Sequence, residues 1–391
     1  MSEKRKIVIT CSKRNTKILA EEITELGYSP TDVSTANVTI EGTYKDCMVL
    51  NMNLRTAHRV LFLIESFEAV TPDELYNQVY RIKWEDLIES TGYFSINSYV
   101  YNDNITDSRF ANLRVKDAIA DRFLNELDER PDSGPSREET VIFLHWVLNE
   151  VNLYFDTSGE TIAKHGYRKM PYKAPLLESL ACAMIKTSRW KPGMHFINPM
   201  CGSGTLAIEA ALIAIDKAPG LFRNNFGFMH TKRYKQSDWD AVRSDANAKK
   251  KLTLEGKIIA SDMSDDAIHT AHKNAKFAGV DHLIKFETGD FSITSIPEGE
   301  GVVMLNPEYG ERMGVIDELE ETYAAIGDFF KQRCGGKTGY VFTGNLQLGK
   351  RVGLKPKRKV EFYNGKLDCR LLEFELYQGS KRKDRDVSVD G

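Results

Sequence analysis

From residue 191 onward, short apolar segments alternate with helical segments at regular spacing. Strands are predicted at 195–200, 257–262, 284–290, 301–307 and 338–344, with helices at 205–216, 265–278 and 319–334. Strands joined by helices pair in parallel, so this alternation predicts a doubly wound, mostly parallel α/β sheet. Two more strand-like runs flank Asn364-Gly365, a dipeptide typical of a hairpin turn. The sheet is therefore expected to end in an antiparallel hairpin.

The N-terminal part has a different order of elements. Strands are predicted at 7–11, 38–42, 59–66 and 94–100 and a hairpin at 141–155, with helices at 16–26, at 44–59, from Pro72, and at 111–127. This order predicts small α+β domains, and 391 residues are too many for one ordinary core. Residues 157–175 are polar, basic and rich in turn formers, and they are predicted to be a linker.

Composition argues against membrane-spanning, secreted, disulfide-rich and zinc-binding proteins. No apolar run approaches the roughly 20 residues that a membrane span needs, and the apolar start is too short for a signal peptide. The six cysteines lie far apart with no CxxC pair, which argues against a zinc ribbon or a disulfide framework. His269 and His272 lack a ligand partner and indicate an exposed helix face rather than a metal site. We therefore expect a cytoplasmic protein with no metal and no membrane partner.

The turn after the first strand of the regular region is rich in glycine. It consists of Asn198, Pro199, Met200, Cys201, Gly202, Ser203, Gly204 and Thr205. Glycines allow a ligand to approach the backbone, and the following helix N-terminus offers free N–H groups. Gly202, Gly204 and Ala207 also match a dinucleotide pattern, but that site requires an acidic strand end about 20 residues later. No such residue follows, so a nicotinamide cofactor is disfavoured.

Two aspartates end the next two strands. Asp262 can accept hydrogen bonds from both ribose hydroxyls of a nucleoside cofactor, although it could instead cap a helix, as Ser264 could. Asp290 is placed to meet the adenine amino group, and we include the neighbouring Met263 and Phe291 in the predicted cofactor site. Each aspartate alone is as consistent with a structural role. Both aspartates and the glycine loop follow the carboxyl ends of successive parallel strands, and this shared position favours cofactor binding.

The fourth strand ends in Asn306, Pro307, Glu308 and Tyr309. An aromatic amine is a poor nucleophile because its lone pair is delocalised into the ring. The Asn306 side-chain oxygen and the Pro307 carbonyl can hold the two amine protons as positive charge develops, and Tyr309 can stack on a base. A proline turn after a strand is common, but its position in this sheet favours a catalytic role, with Asn306 also near the cofactor.

These residues carry a family resemblance. The quoted segments are VKDAIADRF (115–123), GYR (166–168) with APLLESLA (174–181), NPMCGSGTLAIEAALIA (198–214) and NPEYGERMG (306–314). The sequence resembles the bacterial large-subunit ribosomal RNA guanine-N2 methyltransferases that carry an N-terminal THUMP domain, often labelled DNA adenine methylases. The resemblance implies a ferredoxin-like piece (1–68), a THUMP domain (69–160), a class I methyltransferase domain with a Rossmann-like fold (161–378) and a disordered tail (379–391).

The resemblance also implies an activity and partners. S-adenosyl-L-methionine is the expected cofactor, and structured RNA, specifically large-subunit rRNA, is the expected partner. Arg114, Lys116, Lys164 and Arg168 are the predicted RNA-binding residues. Some relatives carry a second methyltransferase domain, whereas this sequence ends after the first, so only the one activity is expected. A DNA adenine-N6 methyltransferase and a non-catalytic RNA-binding assembly factor remain alternatives.

The sequence departs from the family pattern at two positions. Glu308 stands where the turn usually has a second proline, and Asn198 stands where the loop usually begins with aspartate. The first departure leaves Asn306, Pro307 and Tyr309 in place. The second removes a charge near the positive end of the cofactor. Both are compatible with activity, and both keep the assembly-factor alternative open.

Overall fold

The computed structural model describes residues 3–102, 105, 107–170, 175–310 and 316–377. The chain divides into two compact units. The first comprises Met1–Gly166 with Ala218–Lys249, and the second comprises Tyr167–Lys217 with Lys250–Gly391. The predicted disordered tail lies outside the described residues.

Strands and helices are numbered separately in chain order. The strands are β1 (Arg5–Cys11), β2 (Asp32–Val33), β3 (Asn37–Gly42), β4 (Ala57–Glu68), β5 (Tyr93–Tyr101), β6 (Asp132–Ser133), β7 (Thr140–Val147), β8 (Glu150–Asp156), β9 (His195–Pro199), β10 (Ile258–Asp262), β11 (Ile284–Thr288), β12 (Gly301–Leu305), β13 (Thr338–Thr343), β14 (Arg358–Asn364) and β15 (Leu367–Glu375). The helices are α1 (Thr16–Glu25), α2 (Tyr44–Asn53), α3 (Pro72–Arg81), α4 (Ser108–Leu127), α5 (Glu178–Thr187), α6 (Thr205–Ala214), α7 (Gln236–Lys249), α8 (Asp265–Ala278), α9 (Ile316–Arg333) and α10 (Leu346–Arg351).

The first unit is built on an eight-stranded sheet in the order β2-β3-β1-β4-β8-β7-β5-β6. Its centre is the antiparallel pair β4–β8, in which Phe62 lies opposite Phe155. The two N-terminal segments predicted as separate domains, 1–68 and 69–160, therefore contribute to one continuous sheet. The predicted hairpin at 141–155 corresponds to β7 and β8, which pair antiparallel.

The segment Ala218–Lys249 packs into the core of the first unit. The rings of Phe226 and Phe228 stack with centroids 5.0 Å apart, and the ring of Trp239 lies 5.3 and 5.0 Å from them. All three side chains are buried in the cluster that contains the β1 and β4 core residues. The range predicted for the methyltransferase domain, 161–378, includes this segment. Its aromatic residues instead complete the apolar core of the first unit.

The second unit contains a seven-stranded sheet in the order β11-β10-β9-β12-β13-β15-β14. The first five strands are parallel, and β15 pairs antiparallel with both β13 and β14. The predicted doubly wound sheet with a terminal hairpin is confirmed. The strand order reverses between β9 and β12, and ligands in such sheets bind at the carboxyl ends beside this point.

The hairpin turn itself differs from the usual two-residue Asn-Gly turn. Asn364 pairs with Leu367 as the last residue of β14, so the two loop residues are Gly365 and Lys366. Gly365 has a φ of 63°, which favours glycine. Asn364 is therefore not one of the two loop residues, and its side chain is available for another contact.

No helix in the described part of the chain is long and apolar enough to cross a membrane. All six cysteines are buried and free. His269 and His272 lie exposed on α8, as expected for a solvent-facing helix surface.

Candidate functional site

The glycine loop connects β9 to α6 with an unusual backbone. Met200, Gly202 and Gly204 have φ values of 54°, 53° and 81°. A Cβ added to Gly204 would lie 2.8 Å from the Cβ of Ala271, so glycine is required there for packing. A Cβ added to Gly202 would meet nothing within 4 Å. The loop is therefore packed on α8 at Gly204 and open at Gly202, where a ligand can approach the backbone.

Asp262 joins the end of β10 to this loop. One of its carboxylate oxygens accepts a 2.9 Å hydrogen bond from the Gly202 N–H, and the other accepts a 3.1 Å bond from the Ser264 N–H. Ser264, not Asp262, is the N-cap of α8, because its hydroxyl accepts from the Ala267 N–H at 3.3 Å. Each carboxylate oxygen can accept more than one hydrogen bond. Asp262 can thus order the loop and still accept from ribose hydroxyls.

An apolar surface lies beside Asp262. The Asp262 carbonyl accepts from the Gly289 N–H at 2.9 Å, and a Cβ added to Gly289 would come within 2.9 Å of the Ile293 side chain. Met263 and Ile293 are 78% and 65% exposed, although both are apolar. Exposed apolar side chains beside the carboxylate that is predicted to bind ribose could cover a planar base. Ile293 was not predicted, because an isoleucine after a strand carries no local signal.

Asp290 and Phe291 follow β11 at the same edge. The exposed Asp290 carboxylate accepts from the Ser292 N–H at 2.9 Å and caps a short 3₁₀ turn, Phe291–Ile293. The Phe291 ring packs edge-on against Phe329, with centroids 5.7 Å apart. Asp290 thus has a structural role, and its exposed carboxylate can accept a further hydrogen bond.

The departure at Asn198 has a structural explanation. Its side-chain amide donates to the Met304 carbonyl on β12 at 2.9 Å and to the Pro199 carbonyl at 3.3 Å. An ionised aspartate has no proton to donate and could not make these bonds. The Asn198 Oδ1 is buried and has no hydrogen-bond partner among the described residues. Asparagine at this position therefore connects β9 to β12 and leaves one buried acceptor beside the loop.

The turn after β12 contains a second acceptor of this kind. The Asn306 Oδ1 is buried and lacks a hydrogen-bond partner in the described part of the chain. An unpaired buried acceptor costs about 1–3 kcal/mol, so a hydrogen-bond donor on a ligand or a water molecule would stabilise it. Pro307 is buried and Glu308 is exposed. The glutamate that replaces the usual second proline therefore extends into solvent and leaves the neighbouring acceptors in place.

Tyr309 is held by the terminal hairpin. Its Oη accepts a 2.9 Å hydrogen bond from the Asn364 side-chain amide, and its ring packs edge-on against Phe342 with centroids 6.4 Å apart. Burial raises the pKa of Tyr309, so the phenol remains neutral at physiological pH. A cavity of about 380 Å³ opens beside the ring. The sequence identified Tyr309 but not Asn364, which it assigned to the turn.

The predicted linker is ordered against the glycine loop at 167–170. Arg168 donates to the Thr205 hydroxyl at 2.9 Å and to the Leu176 carbonyl at 2.6 Å, and it lies 3.6 Å from the Glu178 carboxylate. The buried Asn274 accepts from the Lys169 and Met170 N–H groups and donates to the Ser203 carbonyl. Arg168, predicted to bind RNA, is thus engaged within the domain and positions the loop. Asn274 was missed because its partners are distant in sequence.

The other predicted RNA contacts differ in availability. Arg114 pairs with Asp73 at 2.7 Å and lies over the Tyr76 ring, and Lys116 pairs with Asp117 at 3.2 Å. Lys164 is exposed, and no ion pair joins it to another described residue. Among these cations, Lys164 is the most available to a phosphate.

Comparison with known families identifies the domain. The family model described as "RMKL-like, methyltransferase domain" matches residues 165–373. This chain belongs to the RMKL-like methyltransferase family. Two further models match the preceding part, a "RlmL ferredoxin-like domain" at 6–61 and a THUMP domain at 69–156. The predicted family, fold class and S-adenosylmethionine-dependent methyltransferase domain are confirmed, whereas the roles of individual residues remain predictions.

Relatives of this RMKL-like chain extend over nearly all of it. It is 35% identical over 381 residues to a protein of Syntrophotalea carbinolica named "Ribosomal RNA large subunit methyltransferase K/L", covering 95% of this chain and 53% of that protein. A Shewanella protein of the same name is 33% identical with the same coverage. The chain therefore spans about half the length of these curated relatives.

Solved structures align over the whole fold. A possible methylase from Clostridium difficile 630 is 31% identical with a TM-score of 0.86, covering 97% of this chain and 100% of that one. SMU.472, a putative methyltransferase complexed with SAH, is 26% identical with the same TM-score and coverage. Both alignments therefore span residues of the first unit as well as those of the RMKL-like methyltransferase domain.

Proposed function

We propose that this chain transfers a methyl group from S-adenosylmethionine to the exocyclic amino nitrogen of a base in RNA, specifically guanine N2 in large-subunit rRNA. The observation that carries the proposal is the buried Asn306 Oδ1, an acceptor without a partner among the described residues. It follows β12, beside the strand that leads into the glycine loop. An amine proton of the substrate would satisfy it.

The cofactor would be held by residues around the glycine loop. Asp262 would accept from the ribose hydroxyls, and Met263 and Ile293 would cover the adenine, with Asp290 near its amino group. There is open space beside the loop backbone at Gly202, where the rest of the cofactor could lie. The bound cofactor supplies an electrophilic methyl group on a sulfonium. The unpaired Asn198 Oδ1 would provide a neutral acceptor on the loop in place of the carboxylate usual in the family.

The reaction then depends on geometry. The amine nitrogen attacks the methyl carbon in line, a new carbon–nitrogen bond forms as the carbon–sulfur bond breaks, and one amine proton is lost to water. Asn306 Oδ1 and the Pro307 carbonyl accept hydrogen bonds from the two amine protons and stabilise the charge that develops on nitrogen. Tyr309 would contact the base. Positioning therefore supplies most of the rate enhancement, with no covalent intermediate.

RNA is favoured over DNA by the first unit. The chain matches a THUMP model, and the curated relatives are named as ribosomal RNA methyltransferases. A DNA adenine-N6 methyltransferase could use the same turn but would have no evident use for this unit. The decisive experiment is nucleoside mass spectrometry of ribosomal RNA from a strain lacking the gene, followed by fragment mapping. Complete retention of every methylated guanine would contradict the proposal.

Asp262→Ala is expected to weaken S-adenosylmethionine binding by tens-fold in calorimetry. Hydrogen bonds to a charged acceptor contribute on the order of 1.5–3 kcal/mol, and the variant also loses the bond to the Gly202 N–H. Asp262→Asn is the matched control, because it keeps one acceptor oxygen and should lose less affinity. Equal affinity for the parent and Asp262→Ala, with the fold retained, would exclude Asp262 from the ribose site.

Lys164→Ala is expected to weaken RNA binding and to reduce its salt dependence. Losing one phosphate contact lowers the slope of log affinity against log salt by about 0.7–0.9. The measurement is a salt titration of full-length parent and variant with an rRNA fragment. Lys164→Arg should preserve the slope, whereas an unchanged slope in Lys164→Ala would remove this residue from the interface.

A further inference from the structure

The sheet of the first unit has two different faces at β5, β7 and β8. Leu144 and Trp146 of β7 are buried in the apolar core that also contains Val115 of α4, so helical residues cover this face. Successive side chains on a strand point to opposite faces. Phe143 and His145 therefore belong to the other face, and both are only partly buried. This other face is accessible to solvent along β7.

Aromatic side chains occupy the accessible face. Strand pairing places Tyr99 of β5 beside His145 and Phe143 opposite Tyr154 of β8, and paired residues share a face. Tyr101 lies on the same face because it is the second residue after Tyr99. We call these five residues the aromatic face. The exposed side of such a sheet is normally polar, so an aromatic patch there marks a candidate interaction surface.

Tyr99 and His145 form a stack that is open on one side. Their ring centroids lie 5.5 Å apart and their planes differ by 17°. Tyr99 is 56% exposed although one flat side of its ring lies on His145, so the other flat side is accessible. Burial lowers the pKa of His145, and the nearby Lys6 lowers it further, so the imidazole is neutral at physiological pH. A further planar ring can therefore extend the stack.

Two cations border the aromatic face. Arg137 donates to the Asn97 Oδ1 at 2.8 Å, and Asn97 lies opposite Phe143 on this side of the sheet. The guanidinium has five N–H donors, so it can bind a phosphate as well. Lys6 is exposed and lies near His145, as does the acidic Glu150. This mixed charge suits a short strand that is held mainly by stacking rather than by many phosphate contacts.

We propose that the aromatic face binds unpaired bases of a single-stranded RNA segment, with one base stacked on Tyr99. The proposal rests on the proposed function, in which the substrate is RNA. Sheet faces with exposed aromatic rings stack unpaired bases, and such stacking tolerates any sequence because every base has a π-face. The bases of a duplex are already stacked on one another. The aromatic face therefore distinguishes single-stranded from duplex RNA, which the cations alone would not do.

Binding of two RNA probes to the full-length chain tests the proposal by fluorescence anisotropy. The probes are a labelled oligoadenylate of about 12 nucleotides and its duplex with oligouridylate. Tyr99→Ala should weaken oligoadenylate binding by about 5- to 150-fold, because alanine removes the stacking surface, and should leave duplex affinity unchanged. Tyr99→Phe keeps the ring and should bind as the parent does. Tyr377→Ala, at a 51% exposed position of the second unit, is the matched control for losing an exposed tyrosine.

Three outcomes would overturn the stacking surface. Equal oligoadenylate affinity of the parent and Tyr99→Ala is the first, and an equal loss of affinity for the single strand and the duplex is the second. A change in sedimentation of Tyr99→Ala without a change in RNA affinity is the third, because it would assign the aromatic face to a contact between copies of the chain. Neither probe has to be methylated in this experiment. Absence of methyl transfer by the parent would refute the proposed function, whereas binding at Tyr99 is decided by the anisotropy measurement alone.

Discussion

Asn306→Ala is expected to slow methyl transfer by about 10²–10³-fold. In the proposed mechanism the variant removes one of two acceptors that hold the amine in the transition state, and losing one preorganised group at a developing charge costs roughly 2.7–4 kcal/mol. The assay is single-turnover transfer of labelled methyl to unmodified large-subunit rRNA. Affinity for S-adenosylmethionine should change little, because the proposed ribose and methionine contacts lie on the glycine loop and at the end of β10. A loss of cofactor affinity that matches the loss in rate would instead make Asn306 a cofactor ligand.

Glu308→Pro is the companion variant, and it should keep the rate within a few-fold of the parent. The Glu308 side chain is exposed, so restoring the second proline alters the turn without removing an acceptor. Transfer by Glu308→Pro together with no transfer by the parent would mean that Glu308 silences the site. The chain would then be an RNA-binding assembly factor rather than an enzyme.

Trp239→Ala is expected to destabilise the first unit by about 3–5 kcal/mol, the usual cost of truncating a buried tryptophan. The indole is buried against the Phe226 and Phe228 rings. Urea unfolding is expected to show two transitions, and S-adenosylhomocysteine should move only the transition of the unit that binds it. Trp239→Ala should shift the other transition, which the ligand leaves unchanged.

Trp190→Ala is the matched control in the second unit. This buried indole packs edge-on against Phe196, and its N–H donates to the Met194 carbonyl at 3.0 Å. Its truncation should shift the transition that responds to S-adenosylhomocysteine. A shift of that same transition by Trp239→Ala would show that 218–249 unfolds with the second unit after all.

The sequence predicted the second unit well because its signals are local. Each predicted strand is a short apolar run, three of the five are followed by a predicted helix, and the predicted site residues fall at strand ends. The helix Asp265–Ala278 was predicted at its observed bounds, because Ser264 and Gly279 mark its two ends. The glycine loop and the turn at 306–309 were located by the same reasoning.

Features that depend on distant packing could not be predicted in this way. The segment 218–249 follows α6 along the chain, yet its aromatic residues belong to the core of the first unit. Arg168 lies in a basic run that indicated RNA, whereas its partners Thr205 and Glu178 are brought to it only by folding. Asn364 was interpreted as a turn residue because Asn-Gly is a strong local signal. In each case a long-range contact, absent from any sequence window, decided the role.

The burial of all six cysteines makes each thiol a reporter of local opening. Burial raises the pKa of the Cys11, Cys201 and Cys369 thiols, so in the closed state they are protonated and unreactive. A thiol reagent would label each one only when its surroundings open transiently. Cys201 would then report on the glycine loop, Cys369 on the hairpin behind Tyr309 and Cys11 on the first unit. Labelling kinetics followed residue by residue would show which region the cofactor slows, with Cys201 expected to be protected first.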